Sequence, residues 1–184
     1  MYQIDKTFEF CYGHRVWTQK LDFKYSVDTS CACRHLHGHQ GTVKIGLESS
    51  ELKESMVTDF KHLNCIKYLI DIVFDHKFFI DMNDPQFNKM FSLARMNNLI
   101  HHESKLFSTV DLNKLKEMNI DLDDYEVYEG LVIVPFVPTS ENLCKFLAQL
   151  ADFTLKGLEG YGSRFKLSYI DFWETPKSHC RYTL

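Results

Sequence analysis

The chain has 184 residues and a formal net charge of −4, with 45% apolar, 25% charged and 14% aromatic residues. That composition supports one ordinary hydrophobic core and excludes a disordered chain, and a pI near 6.1 leaves no basic footprint for nucleic acid. A membrane span needs about 18 consecutive apolar residues, and the best run, residues 131–137, falls far short.

The opening residues MYQIDKTFEF alternate and carry charges, so they read as a strand and not as a signal peptide. Tyr2, Ile4, Phe8 and Phe10 share one parity, which continues through Tyr12 to His14 and aims that histidine at the buried side. A second strand is expected from His37 to Ser49, where Val43, Ile45 and Leu47 are apolar and His37 and His39 share their parity. Asp59 then opens a helix with Phe60, Leu63, Ile66, Ile70 and Val73 as its apolar stripe, ending near Phe74. Residues 84–130 mix Met, Asn and Asp with short amphipathic pieces and read as an insertion, either helical or a mobile lid. A further helix follows Pro138, capped by Thr139, with Glu141 in its first turn and Leu143, Phe146, Leu147 and Leu150 buried. Strands over 164–174 and 179–184 finish the chain. Alternation in the first slips at Ile170 and Asp171, as a bulge would make it. This succession predicts one α+β domain over 1–184, with an antiparallel four-stranded sheet and helices on one face.

Nine histidines and six cysteines are high counts for such a chain. Without an export signal the cysteines are expected to be reduced in a cytoplasmic protein, which favours metal or catalytic use over disulfides. His14, His37 and His39, on one parity of two strands, would hold zinc through three nitrogens and leave a position open for substrate. A rival set, Cys31, Cys33, His37 and His39, would close the zinc site for a structural role alone. Its Cys-x-Cys spacing is tighter than the usual zinc knuckle, and it leaves His14 unexplained.

The run Phe8-Glu-Phe-Cys-Tyr-Gly-His14-Arg, followed by Cys33-x-x-x-His37-Gly-His39, resembles the 6-pyruvoyl-tetrahydropterin synthase family. Met56-Val-Thr-Asp-Phe60, Phe74-Asp75-His76, Pro138-Thr-Ser-Glu141 and Glu174-Thr agree in order, so the resemblance covers both ends of the chain. Within that family, the spacing of Cys33 and His37 is similar to that of the 6-carboxytetrahydropterin synthases of queuosine biosynthesis.

The resemblance implies a tunnelling fold (T-fold), a homo-hexamer built as a dimer of trimers, pterin pockets at subunit interfaces, and zinc on His14, His37 and His39. It implies a carbon–carbon lyase that converts 7,8-dihydroneopterin triphosphate to 6-carboxy-5,6,7,8-tetrahydropterin, acetaldehyde and triphosphate. Cys33 would abstract a proton, His76 with Asp75 would donate or relay one, and Glu174 would hold the pterin N–H edge as well as joining the relay. Thr139, Ser140 and Glu141 would border the pterin pocket. Arg15, Lys20 and Lys24 are the cations nearest in sequence for the triphosphate.

Each of these residues also has a plainer reading. Cys33 would serve as a small buried apolar group, His76 as a helix-end cation, Glu141 as a partner of the helix dipole, and Glu174 as a solvent-facing strand residue. Two other functions stay open at this point: a 6-pyruvoyl synthase that eliminates triphosphate without cleaving the side chain, and a non-catalytic zinc-stabilised binding module.

Overall fold

The computed structural model describes residues 1–25, 30–92, 98–119 and 121–184. Residues 93–97 and 120 of the expected insertion lie outside the described residues. The strands of the main sheet are β1 (Tyr2–His14), β2 (His37–Ser49), β3 (Lys77–Asp81), β6 (Leu131–Val134), β7 (Lys166–Thr175) and β8 (Ser178–Thr183), and β4 (Ile100–His101) pairs with β5 (Thr109–Val110). The main sheet is thus six-stranded, in the order β6-β3-β1-β2-β7-β8. This corrects the expected four-stranded antiparallel sheet, because β3 and β6 join it in parallel. Both are short and largely buried, and β6 is an unbroken apolar run. Such strands show no polar–apolar alternation to read. The chain divides into two compact units: Met1–Cys11, His39–Asp75 and Ser140–Leu184 in the first, Tyr12–Gly38 and His76–Thr139 in the second.

In the first unit β2, β7 and β8 are antiparallel neighbours. Helix α5 (Ser140–Leu155) packs against β7 and β8. Its buried face includes Leu143, Phe146, Leu147 and Leu150, as their spacing predicted. Phe146 meets Phe74 edge-on at 5.6 Å, and Phe10 lies 6.2 Å from Phe172. Each large side chain buried in this way contributes about 1.5–3 kcal/mol.

The helix expected after Asp59 is a succession of three helical forms. A 3-10 turn (Phe60–Leu63) leads into α1 (Asn64–Tyr68) and then a π-helical stretch (Leu69–Phe74). Asp59 caps it, its Oδ1 accepting from the Lys61 N–H at 2.8 Å. The Asp75 N–H donates back to the Ile70 carbonyl at 2.8 Å, and Ile70 and Phe74 are both buried.

Strand β7 bulges twice. Gly46 faces Tyr169 while Leu47 faces Leu167, which leaves Ser168 as the extra residue. This bulge falls two residues before the slip expected at Ile170, and after it Ile170 and Phe172 take the buried side. Nearer the end, Trp173 faces His179 while Thr175 faces Ser178, so Glu174 occupies a second irregularity. Bulges re-aim side chains and recur beside functional sites.

In the second unit, β3 pairs with the end of β1, Tyr12 opposite Lys77 and Gly13 opposite Phe78, and with β6 on its other edge. Ile80, Phe87, Leu99, Val110, Leu115, Tyr128, Leu131 and Ile133 form a buried apolar cluster. Those residues come from β3, α2 (Phe87–Met90), β5, α3 (Leu112–Glu117), α4 (Leu122–Glu129), β6 and the chain before β4. The described part of 84–130 therefore carries packed core residues of this unit.

Candidate active site

Three imidazoles converge from two strands. His14 closes β1 and is fully buried. His37 and His39 open β2 on the parity of buried Val43 and Ile45. One ring nitrogen from each of the three lies within 4.8 Å of the other two, and the His14 and His37 rings have centroids 4.5 Å apart.

The outer nitrogens are held by backbone. His14 Nδ1 lies 2.6 Å from the Pro138 carbonyl oxygen, and His37 Nδ1 lies 2.8 Å from that of His35. A carbonyl only accepts, so in the neutral rings Nδ1 carries the proton and Nε2 keeps its lone pair. That is the tautomer of a metal-ligating histidine, with the outer hydrogen bond setting the ring orientation. The donor set fits zinc as three imidazole nitrogens that leave a fourth position for an exchangeable ligand.

Two glycines make close approaches beside the histidines possible. A Cβ on Gly38, between the paired histidines of β2, would sit 2.7 Å from the Tyr12 carbonyl oxygen. A Cβ on Gly13, directly before His14, would run into the Phe78 ring. Tyr12 itself packs edge-on against both His14 and Phe79, at 5.2 and 6.0 Å.

The carboxylate of Glu174, at the second irregularity of β7, lies 3.8 Å from His39 Nε2. Cys33 lies in a single 3-10 turn (Ala32–Arg34) and is half-buried. Its carbonyl accepts from the Val16 N–H at 2.7 Å, which ties that turn to the chain just beyond His14. Neither Cys31 nor Cys33 belongs to the gathered ligand group.

Asp75 and His76 form a second group, with Cys11: one ligand atom from each of the three lies within 4.8 Å of the others. Asp75 leaves the π-helical stretch in an extended conformation, and its Oδ1 accepts from the Cys11 N–H at 2.7 Å. His76 follows at a positive φ of 58°, a left-handed conformation uncommon outside glycine. The Thr139 N–H donates to the Val137 carbonyl at 2.8 Å, and Ser140 and exposed Glu141 begin α5, where the helix dipole favours a carboxylate. Of the three cations nearest in sequence, Arg15 is ion-paired through Nε with buried Asp84 at 2.9 Å. Lys24 lies over the Tyr25 ring.

Sequence reasoning missed Cys11 and the two carbonyls that orient the imidazoles. Cys11 carried one signal, its place three residues before His14 on the outward parity. Backbone carbonyls carry none.

A mixed α+β sheet bearing three metal-type imidazoles is what an enzyme of the pterin-synthase kind with a T-fold presents. The chain belongs to the 6-pyruvoyl tetrahydropterin synthase family, whose model matches residues 3–184. It is 32% identical to the 6-carboxy-5,6,7,8-tetrahydropterin synthase of Aquifex aeolicus, with 98% of this chain and 97% of the relative covered. An uncharacterised protein of Wolinella succinogenes of known crystal structure is 43% identical, with a TM-score of 0.89 over 99% of this chain and 97% of that one. The 6-pyruvoyl tetrahydropterin synthase of Caenorhabditis elegans shares the fold, at 19% identity and a TM-score of 0.52 over 100% and 95% of the two chains. Among the described residues, no helix is long and apolar enough to cross a membrane.

Proposed function

We propose that this chain is a zinc-dependent 6-carboxy-5,6,7,8-tetrahydropterin synthase, a cytoplasmic carbon–carbon lyase of queuosine biosynthesis. It would convert 7,8-dihydroneopterin triphosphate and water to the carboxypterin, acetaldehyde and triphosphate. The observation that carries this reading is the convergence of His14, His37 and His39 with two outer nitrogens tied to carbonyls. The product follows the name of the Aquifex relative.

His14, His37 and His39 would hold the zinc, which supplies Lewis-acid stabilisation of negative charge developing on the substrate's side-chain oxygens. Cys33 takes a proton from the side-chain carbon. His76 returns or relays one, with Asp75 setting its tautomer. Glu174 accepts N–H bonds from the pterin edge and joins the relay; Thr139, Ser140 and Glu141 line the pterin pocket. The working form is a homo-hexamer of stacked trimers with pockets at subunit interfaces. Residues 84–130 are an insertion within a single synthase domain.

The test is incubation of the zinc-loaded protein with dihydroneopterin triphosphate and identification of products by mass. Carboxypterin with stoichiometric acetaldehyde supports the reading. Pyruvoyl pterin without acetaldehyde would transfer the chain to the other activity of the family, and unreacted substrate would leave a zinc-binding module.

A further inference from the structure

Cys11 has no part in the proposed reaction, yet its sulfur belongs to a gathered ligand group. One ligand atom each from Cys11, Asp75 and His76 lies within 4.8 Å of the other two. Tetrahedral zinc, with bonds of about 2.0–2.3 Å, spaces its ligand atoms a little closer than this, so side-chain adjustment alone closes the gap. The backbone is already set for it. The Cys11 N–H holds one Asp75 carboxylate oxygen at 2.7 Å, which fixes the carboxylate beside the residue bearing the thiol. Cys11 and His76 are exposed and Asp75 half-buried, so an ion has access to all three.

The chemistry of the set selects its occupant. One thiolate, one imidazole and one carboxylate suit a borderline-soft divalent ion such as zinc, cobalt or cadmium, whereas magnesium and calcium prefer oxygen alone. The first group is all-nitrogen, and this one contains sulfur. The two differ in which spectroscopic signature a bound ion shows.

We infer that Cys11, Asp75 and His76 form a second site for a thiophilic divalent cation, whose occupancy withdraws His76 from proton transfer. Binding stands on the geometry of the three residues; the loss of turnover rests on the role proposed for His76. An excess of the same metal that the three histidines require would therefore inhibit the enzyme, and Cys11 is the residue that confers this sensitivity.

The experiment is a titration of the metal-free full-length protein with cobalt(II) chloride, followed by absorption and turnover. The first equivalent should give visible d–d bands of a nitrogen-ligated ion. The second should add near-ultraviolet sulfur-to-cobalt charge transfer, which Cys11→Ser abolishes and the double variant Cys31→Ser, Cys33→Ser retains. With the second site saturated, turnover of the wild-type protein should fall about a hundredfold, the lower range of what proton-transfer catalysis contributes. Turnover of Cys11→Ser should not fall. Absence of a charge-transfer band at two equivalents, or its survival in Cys11→Ser, overturns the site. A Cys11-dependent band without loss of turnover leaves the site standing and overturns the role assigned to His76.

Discussion

At the scale of single residues, Gly38 shows how narrowly the imidazoles are positioned. Its missing side chain lets the backbone come close to the Tyr12 carbonyl, where a methyl group would meet oxygen at 2.7 Å. Gly38→Ala should therefore displace His37 and His39 together and weaken zinc binding by about 10–100-fold, the range seen when ligand orientation is disturbed. Equilibrium dialysis against a chelating dye measures this, and an unchanged affinity would refute the orienting role. Cys33→Ala tests a separate function. If Cys33 is the proton-abstracting group, turnover falls by about 10²–10⁴ while zinc content stays at the wild-type level, because a base contributes to rate and not to metal affinity. Loss of metal and fold together would instead point to the closed cysteine–histidine site.

At the scale of secondary-structure elements, β7 and β8 are joined by charge as well as by their ladder. Arg181 donates to both oxygens of buried Asp171 at 2.6 and 2.7 Å, and His179 Nε2 lies 3.0 Å from Oδ1. Burial alone would push this carboxyl up; the hydrogen bonds from Arg181 and His179 outweigh it and hold it below its ordinary 3.8. A carboxyl that ionises more readily in the folded chain stabilises the fold above the unfolded value. That contribution disappears as pH falls through the lowered folded value. Asp171→Ala should cost about 1.5 kcal/mol at neutral pH, the low end for charged hydrogen bonds because Arg181 keeps half its side chain in solvent. The variant should also lose part of the acid sensitivity in denaturant titrations. A wild-type pH profile in Asp171→Ala would remove the ion pair from the account. On α5, burial first and the neighbouring Cys180 second push the Cys144 thiol up to about 12. It should therefore resist alkylation at neutral pH while exposed Cys11 reacts.

At the scale of the whole molecule, removal of the metal should separate assembly from catalysis. Chelation should lower the Tm and abolish turnover, since an ion that binds only the folded chain stabilises it. If the chain forms the proposed hexamer, its sedimentation coefficient should be unchanged by chelation, because neither edge strand of the main sheet, β6 or β8, carries any of the three histidines. Dissociation to monomers on chelation would contradict that division. Much of this architecture was legible in the chain. Period-2 alternation from Tyr2 to His14 and from His37 to Ser49 placed two strands and aimed all three histidines. The spacing of Leu143, Phe146, Leu147 and Leu150 gave the face of α5. What stayed illegible had no local signature. Strand β6 is apolar on both faces, β3 is a five-residue strand without alternation, and the π-helical stretch keeps an ordinary helical stripe. The grouping of Asp75 and His76 with Cys11 depends on contacts 64 residues apart, which no window of sequence contains.

Strand β1 places Phe8, Phe10, Tyr12 and His14 on one buried parity. A slip of one residue in its pairing would turn all four outward at once. The apolar anchors and the first histidine of the proposed zinc site therefore share a single positional choice, and a chain that threads β1 wrongly cannot complete its histidine trio. If the proposed zinc site is correct, a copy with β1 out of register would bind no metal there, so metal content would report the register of the first strand.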